Sequence, residues 1–261
     1  MRIFIAFVYL FTLFLSPSLC RADAIQIVSN ELPPLKFQKD GKVQGITVDI
    51  LTQIMAKVGK PIDPQSIETM SWARAYEDAM LMPGTILLNI AMTEERKPVF
   101  KWVGPIYTIQ LGLIGKSHKE FEIEQASEAA QYNVGTLLDT APEQLLFAQG
   151  FPKERAYRIS RTEQALKMLQ AGRIDLFAHT ADSSFYMMPE LGIDPTKFKV
   201  YYMIKSVDLY IGFNNSFSEK FVSKLQKAFE ELQETVPGRP SEYERIVGRY
   251  RYYHPKKCER N

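Results

Sequence analysis

The stretch Asn89-Ile90-Ala91-Met92-Thr93-Glu94-Glu95-Arg96 brings together most of the side chains in this chain that could do chemistry. It follows an apolar run, Ile86 to Ile90, that reads as a strand, and it opens a short helical turn. Thr93 is a natural N-cap for that turn, and backbone N–H groups at a helix start help hold an anion. Arg96 contributes a planar guanidinium fork, the side chain suited to bidentate capture of a carboxylate. On spacing alone, a surface Arg paired with Glu94 or Glu95 is the simpler account, and capping alone explains Thr93. Other chemistries lack their patterns. There is no Gly-rich phosphate loop, nucleophile-elbow Ser or His-Glu-x-x-His, and His118, His179 and His254 stand singly. The reading is therefore of no catalytic residue, no metal and no cofactor.

The rest of the composition says where such a binding segment would work. The chain has 261 residues, 46% of them hydrophobic and 24% charged, which is enough for one large globular domain or two modest ones. Its 32 basic and 30 acidic residues leave a net charge of +2, too small to steer nucleic acid onto the surface. Arg2, the apolar run Ile3 to Leu15, Ser16-Pro17-Ser18 and Ala22-Asp23-Ala24 together read as a secretory signal peptide over residues 1–24. The run is too short for the roughly 20 residues that cross a bilayer as a helix. Leu19 before Cys20 does not fit a lipidation site. Cleavage leaves Cys258 alone, so the mature chain is expected to be periplasmic, nearly neutral and without an internal disulfide.

The elements that must position Arg96 alternate between strand and helix. Ile25 to Val28 reads as a strand, then Pro33-Pro34 and Asp40-Gly41 as turns, then a helix from Gly45 with Val48, Leu51, Met55 and Val58 at helical spacing. A second helix starts at the N-cap Ser71 and carries Trp72, Ala75, Tyr76 and Ala79. The alternation restarts with a helix near Glu124 to Gln131, strand Tyr132 to Gly135 and helix Pro142 to Gln149. Strand Ala156 to Ile159 and helix Thr162 to Ala171 follow, the helix boxed by Ser160 and Glu163 and closed by Gly172. After the strand Ile174 to Ala178, segments Lys199 to Met203 and Val207 to Phe213 read as strands, and helices near Ser218 to Thr235 and Ser241 to Tyr252 finish the chain.

Two such runs predict two α/β lobes, and the surplus terminal helices predict a return to the first. The expected division is 25–115 with 207–261 in lobe one and 116–206 in lobe two, joined by two crossover strands that form a hinge. A hinge places the binding site in the cleft.

Several motifs then fall into a familiar order: Glu31-Leu32-Pro33-Pro34, Gly45-x-x-Val48-Asp49-Ile50, Met70-Ser71-Trp72, Thr93-x-x-Arg96 followed by Gly104-Pro105-x-Tyr107, Val134-Gly135, and Gly172-Arg173-Ile174-Asp175. Together, along the whole mature chain, they resemble the family 3 extracellular solute-binding proteins, periplasmic receptors for polar amino acids and related solutes. The resemblance implies the two-lobe periplasmic-binding-protein fold and a ligand-binding set. Arg96 would hold the ligand carboxylate, with Thr93 and Asn89 assisting, and Trp72 would wall the pocket. Leu32 occupies the place of an aromatic lid, and Asp139 and Thr140 would contact the ligand from lobe two. Where relatives hold an ammonium with an acidic residue, this chain has Thr180, with Asp182 two residues on and His179 one before. Ala91 stands where relatives often carry a hydroxyl.

The implied function is capture of a small polar, carboxylate-bearing, amino-acid-like solute in the interlobe cleft for a membrane transporter permease of the ABC type or a membrane sensor. The chain would act as a monomer and without nucleic acid. A cleft enzyme of dehydratase type, using His179 and Asp182, is the alternative. The tail Tyr250 to Arg260 reads as a helix end and a solvated basic segment, and Lys224, Lys227, Glu230, Glu231 and Glu234 as the wet face of an amphipathic helix over Phe221, Leu225, Ala228 and Leu232.

Overall fold

The computed structural model describes residues 25–138 and 140–250. The expected signal peptide, Asp139, His254 and Cys258 lie outside the described residues. The architecture is mixed α/β, with a sheet of order β4-β1-β5-β10-β6-β9-β7-β8 and a separate β2-β3 hairpin.

The first part supplies β1 (Gln26–Ser29), β2 (Phe37–Lys39), β3 (Lys42–Gln44), α1 (Ile46–Lys57), β4 (Glu68–Thr69), α2 (Trp72–Leu81) and β5 (Thr85–Ala91). β4, β1 and β5 are mutually parallel. The run from Thr85 to Ile90 is buried throughout, as a strand covered on both faces must be. Gly45 caps α1 at φ 140°, where a Cβ would collide with the Leu35 carbonyl, so the close approach of loop and helix requires glycine. α1 buries Ile46, Val48, Ile50, Leu51, Ile54 and Met55, and α2 starts at Ser71, whose side chain accepts from the Arg74 N–H.

β6 (Phe100–Lys116) and β10 (Phe198–Asn214) are long antiparallel partners that run through the middle of the sheet. The sequence pattern alone marks shorter strands, around Gln110 to Ile114 in the first and Lys199 to Met203 and Val207 to Phe213 in the second. Instead, Tyr107 pairs with Leu209 and Val103 with Ile211, so Gly104-Pro105-Ile106 bulges out while the strand continues. The bulge's polar groups are satisfied by the terminal helices α6 (Glu219–Gln233) and α7 (Glu242–Arg249): Gly104 N–H donates to Gln226 Oε1 at 2.9 Å, and the Ile106 carbonyl accepts from the Tyr243 hydroxyl at 3.0 Å. α6 and α7 also pack on α1.

The other end of the sheet contains β7 (Val134–Leu137), β8 (Ala156–Ile159) and β9 (Leu176–Thr180), all parallel, with α3 (Ala141–Ala148), α4 (Thr162–Ala171) and α5 (Ala181–Glu190). Two local expectations change. Ala126–Gln131 is a 3₁₀ segment, and α4 is capped by Arg161, which puts Glu163 at N2 and leaves the box with Ser160 unformed. Gly172 does close α4 in the left-handed conformation.

The register explains the two lobes. β5 flanks β10 as far as Leu209, opposite Ala91, and β9 flanks β6 from Leu111, opposite Thr180. Between them the sheet is two strands wide, Thr108–Gln110 against Ser206–Asp208. The fold is thus two wide sheet regions joined at a narrow waist.

Candidate functional site

The parallel strands of both regions point their carboxyl ends at this waist, the place where open α/β sheets bind ligands. Leu32, Trp72 and Arg96 follow β1, β4 and β5; Thr140 follows β7, and Thr180 and Asp182 follow from β9.

Arg96 is half-buried. Its guanidinium lies over the Trp72 ring at 5.7 Å and the Tyr76 ring at 5.1 Å, and Nη1 donates to the Ala91 carbonyl at 3.2 Å. Trp72 and Tyr76 are one helical turn apart on α2 and stack on each other with centroids 6.1 Å apart. Among the described residues no carboxylate pairs with Arg96, and Glu94 pairs with Lys97 instead. The surface-pair account of Arg96 therefore gives way to a cation set on aromatic faces. Thr93 forms the expected cap, its Oγ1 accepting from the Arg96 N–H at 3.3 Å.

Asn89 is brought close in sequence but faces away. It has φ 59° at a register shift between β5 and β10, and its Oδ1 accepts from the Thr47 hydroxyl of α1 at 2.7 Å. Its Nδ2 is buried without a hydrogen-bond partner among the described residues. Leu32 is half-buried and held by reciprocal backbone bonds with Lys36. Lys36, which sequence reasoning passed over, is fully buried, and its Nζ meets the Thr69 hydroxyl at the end of β4. Burial pushes its pKa down, with Glu31 pulling it back up. It fastens the loop after β1 to the sheet.

In the second region Thr140 donates to the Leu137 carbonyl at 2.8 Å and starts α3 without a side-chain cap. Beside it, buried Glu143 receives the Thr136 hydroxyl at 2.8 Å and two Arg158 N–H groups at 2.8 and 2.9 Å. Thr180 is buried at the end of β9. Asp182 bends back to the waist: its Oδ1 accepts from the Tyr107 hydroxyl at 2.8 Å and its Oδ2 from the Gln110 N–H at 3.3 Å. His179 stacks on Phe177 at 4.9 Å, and its Nδ1 lies 2.9 Å from the Ser184 hydroxyl. Burial holds its pKa down to about 4, which leaves the imidazole neutral near pH 7. Among the described residues no group of His, Cys, Asp and Glu is arranged to hold a metal.

This arrangement sets the Arg96 cation on an aromatic wall, and among the described residues Asp182 is engaged by Tyr107 and Gln110. The sequence profile of the bacterial extracellular solute-binding proteins, family 3, matches residues 25–236. The chain belongs to that family. No curated protein sequence matches it. Among solved structures, it is similar to an ancestral arginine-binding protein bound to arginine, at 17% identity over 87% of this chain and 98% of that one, with a TM-score of 0.65. It also resembles a histidine kinase sensor domain with similarity to periplasmic binding proteins, at 15% identity, 87% and 95% coverage and a TM-score of 0.66. A third likeness is to the arginine-, lysine-, histidine-binding protein ArtJ from Geobacillus stearothermophilus, at 15% identity, 89% and 97% coverage and a TM-score of 0.61. At these identities the likenesses speak for the two-lobe fold of this family 3 protein.

Proposed function

We propose that this family 3 protein is exported, binds a small carboxylate-bearing solute that lacks a free ammonium group between its lobes, and hands it to a membrane transporter. The observation that carries the reading is Arg96, a half-buried cation on Trp72 and Tyr76 that pairs with no carboxylate among the described residues, at the carboxyl end of β5. A desolvated guanidinium gains most from a charge-assisted, bidentate acceptor, which a carboxylate supplies. An ammonium would need an acceptor opposite, preferably an anion. Thr180 is neutral, and Asp182 already receives Tyr107 and Gln110. The lobes are proposed to part at the waist, so on β6 the boundary falls several residues before the 115 read from sequence.

The likeness to a kinase sensor domain favours a second reading in which the same site reports to a membrane kinase. Only the partner differs. The cleft-enzyme alternative draws no support from His179, whose lowered pKa unsuits it to donate a proton at neutral pH. A thermal-shift panel of the mature protein against small carboxylates and amino acids tests the reading. Stabilisation by carboxylates that Arg96→Ala abolishes supports it, and stabilisation by amino acids alone counts against it.

A further inference from the structure

One helix, α5, makes a series of contacts to the waist and to the first lobe. Asp182 meets Tyr107 and Gln110; the Ser183 hydroxyl donates to the Pro33 carbonyl at 2.5 Å; Tyr186 packs its ring on Phe37 with centroids 5.0 Å apart; and Glu190 pairs with Lys39 at 2.8 Å. At 100° per residue, positions 182, 183, 186 and 190 share one face of the helix. The first two lie at the candidate cleft. The last two lie one and two turns further out, against the β2-β3 hairpin, which belongs to no larger sheet. Phe37 is buried between Tyr186 and Tyr250, the residue that follows α7. The Lys39 and Glu190 side chains remain 40% and 53% exposed. Phe37, Lys39, Tyr186 and Glu190 also line a solvent-open groove of about 250 Å³. This contact is therefore separable: its edge is polar and open to water, unlike the dense interior of either lobe.

We propose that Phe37 and Lys39 with Tyr186 and Glu190 form a rim clasp that sets how much of the protein is closed before solute arrives. The proposal rests on the two-lobe hinge proposed above but not on the identity of the solute. Apparent affinity scales with the population of the competent state, so the clasp tunes affinity without touching solute. Exposed ion pairs contribute little individually, and breaking Lys39–Glu190 shifts the closed-to-open ratio by about two- to five-fold.

The test uses the mature protein without solute, carrying Cys258→Ser and spin labels on cysteines introduced at Lys60 and Lys167, with pulsed electron-electron distances as the readout. A largely closed parent is expected. Lys39→Glu and Glu190→Lys should each move population to a second distance, and the combined reversal should restore the parent distribution. Single reversals without effect, or a combined variant no closer to the parent than either single one, overturn the clasp. If Phe37→Ala with Tyr186→Ala also leaves one unchanged distance, the hinge itself is lost and the clasp with it.

Discussion

Arg96 lies on two aromatic rings, which cover one side of the guanidinium and, among the described residues, leave hydrogen-bonding capacity beyond its bond to Ala91. Removing one partner of a desolvated charged pair costs about 2–5 kcal/mol, so Arg96→Ala should weaken binding of a carboxylate hit by tens- to thousands-fold in calorimetry, with unfolding little changed. Arg96→Lys should recover only part, because an ammonium lacks the fork. At the opposite wall, Thr180→Asp should let the cleft bind α-amino acids that the parent binds weakly; an unchanged amino-acid affinity would show that Thr180 does not face the ammonium position. His179 makes a separate prediction. Its folded pKa, about 4, lies below its unfolded value near 6.5, so the unfolded state binds more protons between the two. Stability is therefore full above about pH 6.5 and declines as pH falls toward 4, by on the order of 1–3 kcal/mol. His179→Gln should flatten that part of the acid profile in chemical denaturation. The Thr93 cap on the turn that carries Arg96 was legible from a motif at a strand end. The direction of Asn89 was not, because a left-handed residue at a register shift breaks the alternation by which sequence assigns faces. Lys36 escaped notice because a lysine beside turn prolines reads as exposed.

Elements are held in place by groups that sequence periodicity does not display. The Tyr250 hydroxyl donates to Asp49 Oδ2 at 2.7 Å and accepts from the Gly45 N–H at 3.3 Å, while Arg249 pairs with Asp49 at 3.0 Å. The Asp49 of the Gly-x-x-Val-Asp-Ile motif thus ties α1 to the end of α7. Burial and Asp49 both push the Tyr250 pKa well up, so the hydroxyl stays a donor across the working range. Tyr250→Phe keeps the ring against Phe37 and removes only these bonds, which should cost about 1–2 kcal/mol in urea unfolding. The helices themselves were readable. α6 buries Val222, Leu225, Ala228, Phe229 and Leu232, and Ser218 and Ser241 cap α6 and α7 through their hydroxyls. Phe221, expected inside, is half-buried, and its neighbour Val222 is buried instead. The continuity of β6 was hidden, because Gly104-Pro105 reads as a break and only the bulge, bonded to Gln226 and Tyr243, carries the strand past it.

At the scale of the molecule, two regions of parallel strands aim their carboxyl ends at a waist two strands wide. The strand-helix alternation was enough to foresee two α/β lobes. It said nothing of how α5 would lean across to the β2-β3 hairpin, since contacts between distant segments leave no local period. The central claim is that the cleft selects a carboxylate and not an ammonium. Calorimetry on the mature protein with matched pairs of small acids, identical except for an α-ammonium group, tests it most directly. The account predicts that the acid without the ammonium binds more tightly and that Arg96→Ala loses this binding. Tighter binding of the amino acid, abolished by Asp182→Asn and retained in Arg96→Ala, would contradict it.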